Sequence, residues 1–239
     1  MFKKILKKIL PGWLQKKISL FLIWLEKQRK LGEAEKLGIS FLPPEYIFID
    51  KFGPESLLVD VGCGFDADFS MAMINKFGLK SIGIDPTAKH AESLAELSAK
   101  TEGKFQHKPW AVSFRDGEIE FNESRDNVSG SIFADHKNIK GKQSRQYKVE
   151  AVSLARLPER LALPKIDLLK LDLEGAEYDI IKNLKENDLA KFDQIFLEFH
   201  HDYLPQYSMR DTLECILKLE SLGFRSFSID KRNFLFYAK

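Results

Sequence analysis

Cysteine is scarce in this 239-residue chain: Cys63 and Cys215 are the only two, and they stand at no metal-ligand spacing. That excludes a disulfide scaffold and a cysteine-zinc module, and it fits a reducing, cytoplasmic location. Neither sign of charge dominates, with 37 Lys and Arg against 35 Asp and Glu for a net +2. A global attraction to nucleic acid is therefore not expected. The apolar run Ile18–Leu25 falls far short of the ~20 residues that span a bilayer, and no small-residue cleavage site follows it. Internal repeats and low-complexity tracts are also missing. The length suits one α/β domain with an appendage better than two full domains.

The amino-terminal stretch has no acid before Glu26. Phe2, Ile5, Leu6, Ile9, Leu10, Trp13 and Leu14 recur at helical spacing among Lys3, Lys4, Lys7, Lys8, Lys16 and Lys17, with Pro11-Gly12 marking a break. Residues 1–38 read as a basic amphipathic helical segment and 39–239 as the folded domain. Two uses are open for residues 1–31. The helix can lie in the plane of an anionic membrane surface, peripheral at the inner face, or it can pack on the domain or on a second subunit.

From about Ile39 onward, short apolar runs (57–61, 80–84, 166–171, 195–199) alternate with helical stretches (66–77, 87–100, 175–185, 209–222). This rhythm predicts an α/β fold with a doubly wound, mainly parallel sheet. Between Trp110 and Val152 it lapses into a β-rich insertion, and the chain closes with an antiparallel hairpin around Lys231-Arg232.

The stretch "LLVDVGCGFDADFS", Leu57–Ser70, reads as a buried strand, a glycine turn and a helix start. Gly62, Gly64 and Ala67 satisfy the spacing of a dinucleotide site, so an NAD(P)-dependent oxidoreductase is one reading. Asp60 at the mouth of the turn would repel a pyrophosphate and suit a cationic ligand such as S-adenosylmethionine. Asp66 and Asp68 push the same way, because acids in a first helical turn compete with a bound phosphate. The alternative is that they simply serve the helix dipole and face solvent, the reading preferred for Asp68 over direct ligand contact. Asp85, closing "GIDP", is placed to bind a ribose in either case.

In "IDLLKLDLEG" the residues Lys170, Asp172 and Glu174 share one strand parity, so Lys170 is expected to pair with Asp172 or Glu174. Glu177 is expected to serve the following helix start. Glu198 and His200 share a parity in "IFLEFHH". Asp172, His200 and His201 are the candidate bases for activating a hydroxyl. A divalent metal held by Asp172, Glu198 and His200 is a less favoured alternative. His90, His107 and His136 are expected on surfaces or connections.

Taken together, "VDVGCG", "GIDP" and the long segment Ile166–Leu184 resemble the FkbM family of class I S-adenosylmethionine-dependent methyltransferases, with "WAVSFRDGEIEF", "NVSGSIF" and "IFLEFH" in the family's order. The resemblance covers roughly Leu57 to His200, with Phe65-Asp66 departing from the usual continuation of the glycine turn. It implies a Rossmann-like, seven-stranded-type sheet and methyl transfer to an oxygen, commonly a hydroxyl of a glycan or related metabolite. Carried over, Asp60, Gly62 and Gly64 would line the methionine end, Asp85 the ribose, and Trp110 and Ala111 the adenine, with Trp110 as a core aromatic capping the sheet edge the alternative. Acceptor specificity is expected in the insertion 115–148 and in the loop 201–208, where Tyr203 and Tyr207 suit either sugar stacking or local packing. A catalytically silent fold member that binds a partner or membrane is the remaining alternative.

Overall fold

The computed structural model describes residues 11–141 and 143–238. The chain divides into two compact units, Met1–Ser40 and Phe41–Lys239. In the first, helix α1 (Gly12–Leu37) starts directly after Pro11, which cannot donate the backbone hydrogen bond a helix interior requires. Gly38 ends it in the left-handed conformation, with its N–H donated to the Ala34 and Glu35 carbonyls. The apolar and basic positions between 2 and 10, and the side chain of Lys16, lie outside the described residues. Strand β1 (Ile39–Leu42) follows, across the division.

The second unit is built on a seven-stranded sheet. Its strands are β3 (Leu57–Val61), β4 (Lys80–Ile84), β5 (Phe105–Lys108), β10 (Leu168–Leu171), β11 (Gln194–Glu198), β12 (Phe224–Phe227) and β13 (Asn233–Ala238). The order across the sheet is β12-β13-β11-β10-β3-β4-β5, parallel from β11 to β5, with β13 antiparallel to β11 and to β12. The expected parallel sheet and closing hairpin are both present. Ile166, expected in the fourth long strand, instead makes an isolated bridge to Phe192.

Helices α2 (Asp68–Phe77), α3 (Ala91–Lys100), α5 (Glu177–Asn183) and α6 (Met209–Ser221) connect these strands, and a single turn, α4 (Leu157–Arg160), precedes β10. Helix α6 is started by Ser208, whose hydroxyl and backbone N–H both reach the Asp211 carboxylate. The central strands are buried on both faces: Val59, Leu169, Ile195 and Leu197 share one face, and Leu58, Leu168 and Phe196 share the other with the charged Asp60 and Lys170. Strand β2 (Tyr46–Ile49) lies beside the sheet, where Gln194 bridges its Ile49 N–H and C=O.

The insertion is a second, four-stranded sheet of β6 (Ala111–Ser113), β7 (Gly117–Ser124), β8 (Gly130–Ser131) and β9 (Ser144–Ser153), in the order β6-β9-β7-β8. Sheet order reverses direction between β3 and β10: β4 and β5 lie to one side, β11 and β13 to the other. Open α/β sheets hold their ligands at such a switch point, outside the carboxyl ends of the strands.

Candidate functional site

A crevice of about 250 Å³ opens at that switch point. The turn after β3 forms one wall. Gly62 has φ +74°, and a Cβ there would lie 1.8 Å from the Asp172 carbonyl oxygen, so only glycine allows the two strand ends to meet. Asp85, at the end of β4, accepts from the Gly64 N–H at 2.9 Å and from the Thr87 N–H at 2.8 Å, with His90 Nδ1 at 3.5 Å. Burial opposes its ionisation, but His90 and the Thr87 contacts outweigh that and lower its pKa. The carboxylate thereby clamps the glycine turn to the neighbouring strand. Gly62, Gly64, Asp85, Trp110 and Ala111 all line the crevice.

Asp60 does not. It is fully buried beneath the turn, bonded to Ser70 Oγ at 2.6 Å and 3.2 Å from Lys170 Nζ. The position expected at the mouth is thus a core group, because it faces the same interior as the mid-strand lysine one strand away. Lys170 also donates to the Gly62 carbonyl at 2.8 Å and lies 3.6 Å from Asp172. The pairing with Asp172 that strand parity implied is therefore present, but Asp60 is the nearer carboxylate. Burial disfavours the ammonium, yet Asp60 and Asp172 outweigh it and hold the proton.

The opposite wall is acidic. After β10 the chain leaves extended geometry, with Glu174 at φ +49° and Gly175 at φ +110°. A Cβ on Gly175 would lie 1.9 Å from Leu204 Cδ1, so this glycine is needed for the loop after β11 to close over the turn. A left-handed non-glycine residue at a crevice wall stores strain of about 1–3 kcal/mol that the surroundings must hold. Here they do so through His136 Nε2, 2.9 Å from the Glu174 carboxylate, and Ser131 Oγ, which donates to the Glu174 carbonyl at 2.9 Å.

His200, 2% exposed, sits among four carboxylates. Its Nδ1 lies 3.0 Å from Glu177, and its Nε2 lies 3.5 Å from Asp172 and 3.6 Å from both Glu174 and Glu198. Burial works against its cation, but Glu177, Asp172 and Glu174 outweigh it and raise the pKa to about 10. His200 is therefore an imidazolium at neutral pH. Burial is also the first cause of the raised pKa of Asp172, and with the Asp172 charge it pushes Glu198 up to about 7.

Among the described residues, Asp172, Glu198 and His200 form the group whose ligand-capable atoms lie within 4.8 Å of one another. Glu198 is taken up by Arg232 and Asp172 faces Lys170, so these side chains already form an internal ion-pair network. His201 turns elsewhere, with Nδ1 3.1 Å from Thr212 Oγ1, and does not line the crevice.

His90 and His136 lie in connections, as expected, but are buried there, 3% and 0% exposed, whereas His107 stands inside β5 with its Nε2 3.0 Å from the Asp85 carbonyl oxygen. His90 stands five residues past Asp85, a local spacing that could have pointed to it. His136 had no such signal, because it meets Glu174 from the insertion. Glu177 does more than start a helix: its Oε1 accepts from the Leu173 N–H at 2.7 Å and holds His200. Tyr203 stacks on His136 and Tyr207 on Tyr178, so both loop tyrosines are engaged in local packing.

The sequence model described as the methyltransferase FkbM domain matches residues 63–226. Among curated proteins the chain has no match. Solved structures similar to it include a Methanococcus jannaschii fibrillarin, a pre-rRNA processing protein, at 14% identity over 87% of this chain and 74% of that one, TM-score 0.47. Aeropyrum pernix fibrillarin, with natively bound S-adenosyl-L-methionine, has 14% identity over 88% and 74%, TM-score 0.42. Precorrin-6y C5,15-methyltransferase from Geobacter metallireducens has 11% identity over 77% and 80%, TM-score 0.40. The family assignment rests on the sequence match, which spans well over half of the chain.

Proposed function

The chain belongs to the FkbM family of methyltransferases, and from that premise we propose that its crevice binds S-adenosylmethionine and directs the methyl group to a hydroxyl oxygen of a glycan or related metabolite. One observation carries the reading. A single crevice is lined by the glycine turn and Asp85 on one side and by Asp172 and Glu174 of the Lys-x-Asp-x-Glu-Gly segment on the other.

The residues present fit such a cofactor. The close approach of backbone at Gly62 leaves a floor without side chains, and Asp85 is an ionised acceptor at the strand end where a ribose diol would lie. Trp110 and Ala111 supply apolar surface for an adenine. When bound, S-adenosylmethionine supplies an electrophilic methyl group on a sulfonium. The acidic wall suits a cationic cofactor and disfavours the pyrophosphate of NAD, which counts against the oxidoreductase reading.

An alcohol attacks poorly until its proton has somewhere to go, and a positioned base contributes ~10²–10⁴-fold. Asp172 takes that role here, because its carboxylate is 29% exposed and lines the crevice. His200, held as a cation by Glu177, keeps Asp172 oriented and is a positioning residue. Glu174, braced by His136, borders the same wall and can accept from a second hydroxyl of a polyol. Ordering the acceptor against the methyl group supplies much of the remaining rate.

Thermal shifts with S-adenosylhomocysteine, NAD and NADP test the cofactor. A ligand at about a hundred times its dissociation constant adds ~2.7 kcal/mol of stability. The expected result is a shift with S-adenosylhomocysteine alone, lost in Asp85→Ala. A shift with NAD would overturn the assignment, and binding without turnover on any hydroxylated acceptor would favour a catalytically silent protein.

A further inference from the structure

Helix α1 presents large apolar side chains to solvent. Trp13, Leu20, Phe21, Trp24 and Leu25 are between 42% and 63% exposed. At 100° per residue these five share one arc of about 140°, while Ser19, Glu26 and Lys30 fall on the other side. Phe21 and Trp24 stack on each other at 6.0 Å, and Lys17 Nζ lies 5.4 Å from the Trp13 ring centroid, so its stem runs along the apolar arc. No described helix is long and apolar enough to cross a membrane.

The charge of the same stretch identifies what covers this face. Helix α1 holds six Lys and Arg against Glu26, Glu33 and Glu35, and the ten sequence positions before Pro11 add four lysines and no acid. A protein partner or a second copy would have to bury Lys17 in the middle of the apolar arc, and two copies would also bring two strongly cationic segments together. A bilayer surface imposes neither cost. Lysine stems lie along apolar surface while their ammonium groups rise to headgroup phosphates, and tryptophan prefers the same interfacial depth.

We propose that α1 lies in the plane of an anionic lipid surface, with Trp13, Phe21 and Trp24 inserted at the headgroup boundary and the flanking lysines on lipid phosphates. The attachment is peripheral, and it does not depend on the methyltransferase reading.

Flotation of the full-length protein tests it, using vesicles of mixed phosphatidylglycerol and phosphatidylcholine and vesicles of phosphatidylcholine alone. The protein is expected to float with the anionic vesicles at least about tenfold better than with the neutral ones, and about 0.5 M salt should reduce flotation. Phe21→Ser/Trp24→Ser should reduce it at least about tenfold with an unchanged melting temperature, which separates lost insertion from lost folding. Absent flotation, flotation indifferent to headgroup charge, or equal flotation of the variant would each overturn the proposal. So would a dimer, detected by sedimentation without lipid, that the same variant converts to monomer, since a second copy would then own the face. Because flotation needs no turnover, this outcome stands apart from failure of the cofactor assignment.

Discussion

Lys170 lies between two aspartates, and their contrast shows how the fold separates support from chemistry. Asp60, one strand away, has a side chain 1% exposed and bonded to Ser70. Asp172, two residues further along the same segment, has a side chain 29% exposed at the crevice. Both are within reach of one ammonium group, but only the second has surface to offer a ligand. A carboxylate sealed in with its counter-ion is a structural element, since removing either partner leaves a buried charge uncompensated. A carboxylate left partly open among other acids remains available for a proton.

The largest effect that would break this comparison is at Asp172. Asp172→Asn is expected to lower kcat by ~10²–10⁴-fold, with the thermal shift by S-adenosylhomocysteine retained. Steady-state kinetics and melting curves on the same preparation check both halves. Comparable loss of cofactor binding would mean that Asp172 belongs to the support after all.

Lys170→Met should act on stability first, costing about 3–5 kcal/mol in urea denaturation because Asp60 is stranded. Adding Asp60→Asn should recover most of that loss. If the double variant is no more stable than the single one, Asp60 and Lys170 do not form the pair described here.

The pH dependence sharpens the acidic side. His200 has its pKa raised from 6.5 to about 10, so the stability it contributes is complete below the unfolded value and is lost as pH rises through the folded one. The melting temperature is expected to fall between about pH 7 and 10, and His200→Gln should flatten that limb. Glu198, raised from 4.5 to about 7, adds a loss of the same sign at lower pH. The smallest effect expected is from chelation: if Asp172, Glu198 and His200 are an ion-pair network, EDTA should change kcat by less than about twofold. Loss of activity restored by Mg²⁺ would make the cluster a metal site.

The parts of the molecule readable from sequence are those set by neighbours along the chain. The glycine turn is such a case: two glycines after a buried strand require a sharp bend whatever surrounds it. The order of strands and helices and the closing hairpin are also local, since periodicity reports how each segment is half buried or fully buried. The crevice-lining places of Asp85, Trp110 and Ala111 follow from the rule that strand ends in such a sheet face a common cleft.

Pairings across the sheet were settled by the fold. Strand parity put Lys170, Asp172 and Glu174 on one face but could not say that Asp60, 110 residues earlier, would be the nearer carboxylate, because strand order is not written in either segment. For the same reason His136 and Glu177 gave no sign of these contacts: His136 reaches Glu174 from the insertion, and Glu177, at the start of α5, meets His200 just past the end of β11. By itself the sequence determined which segments form strands and helices and which residues could carry charge chemistry. Only the tertiary structure decided which charges are sealed in and which stay open, because desolvation depends on every element packed around a group and not on its neighbours in the chain.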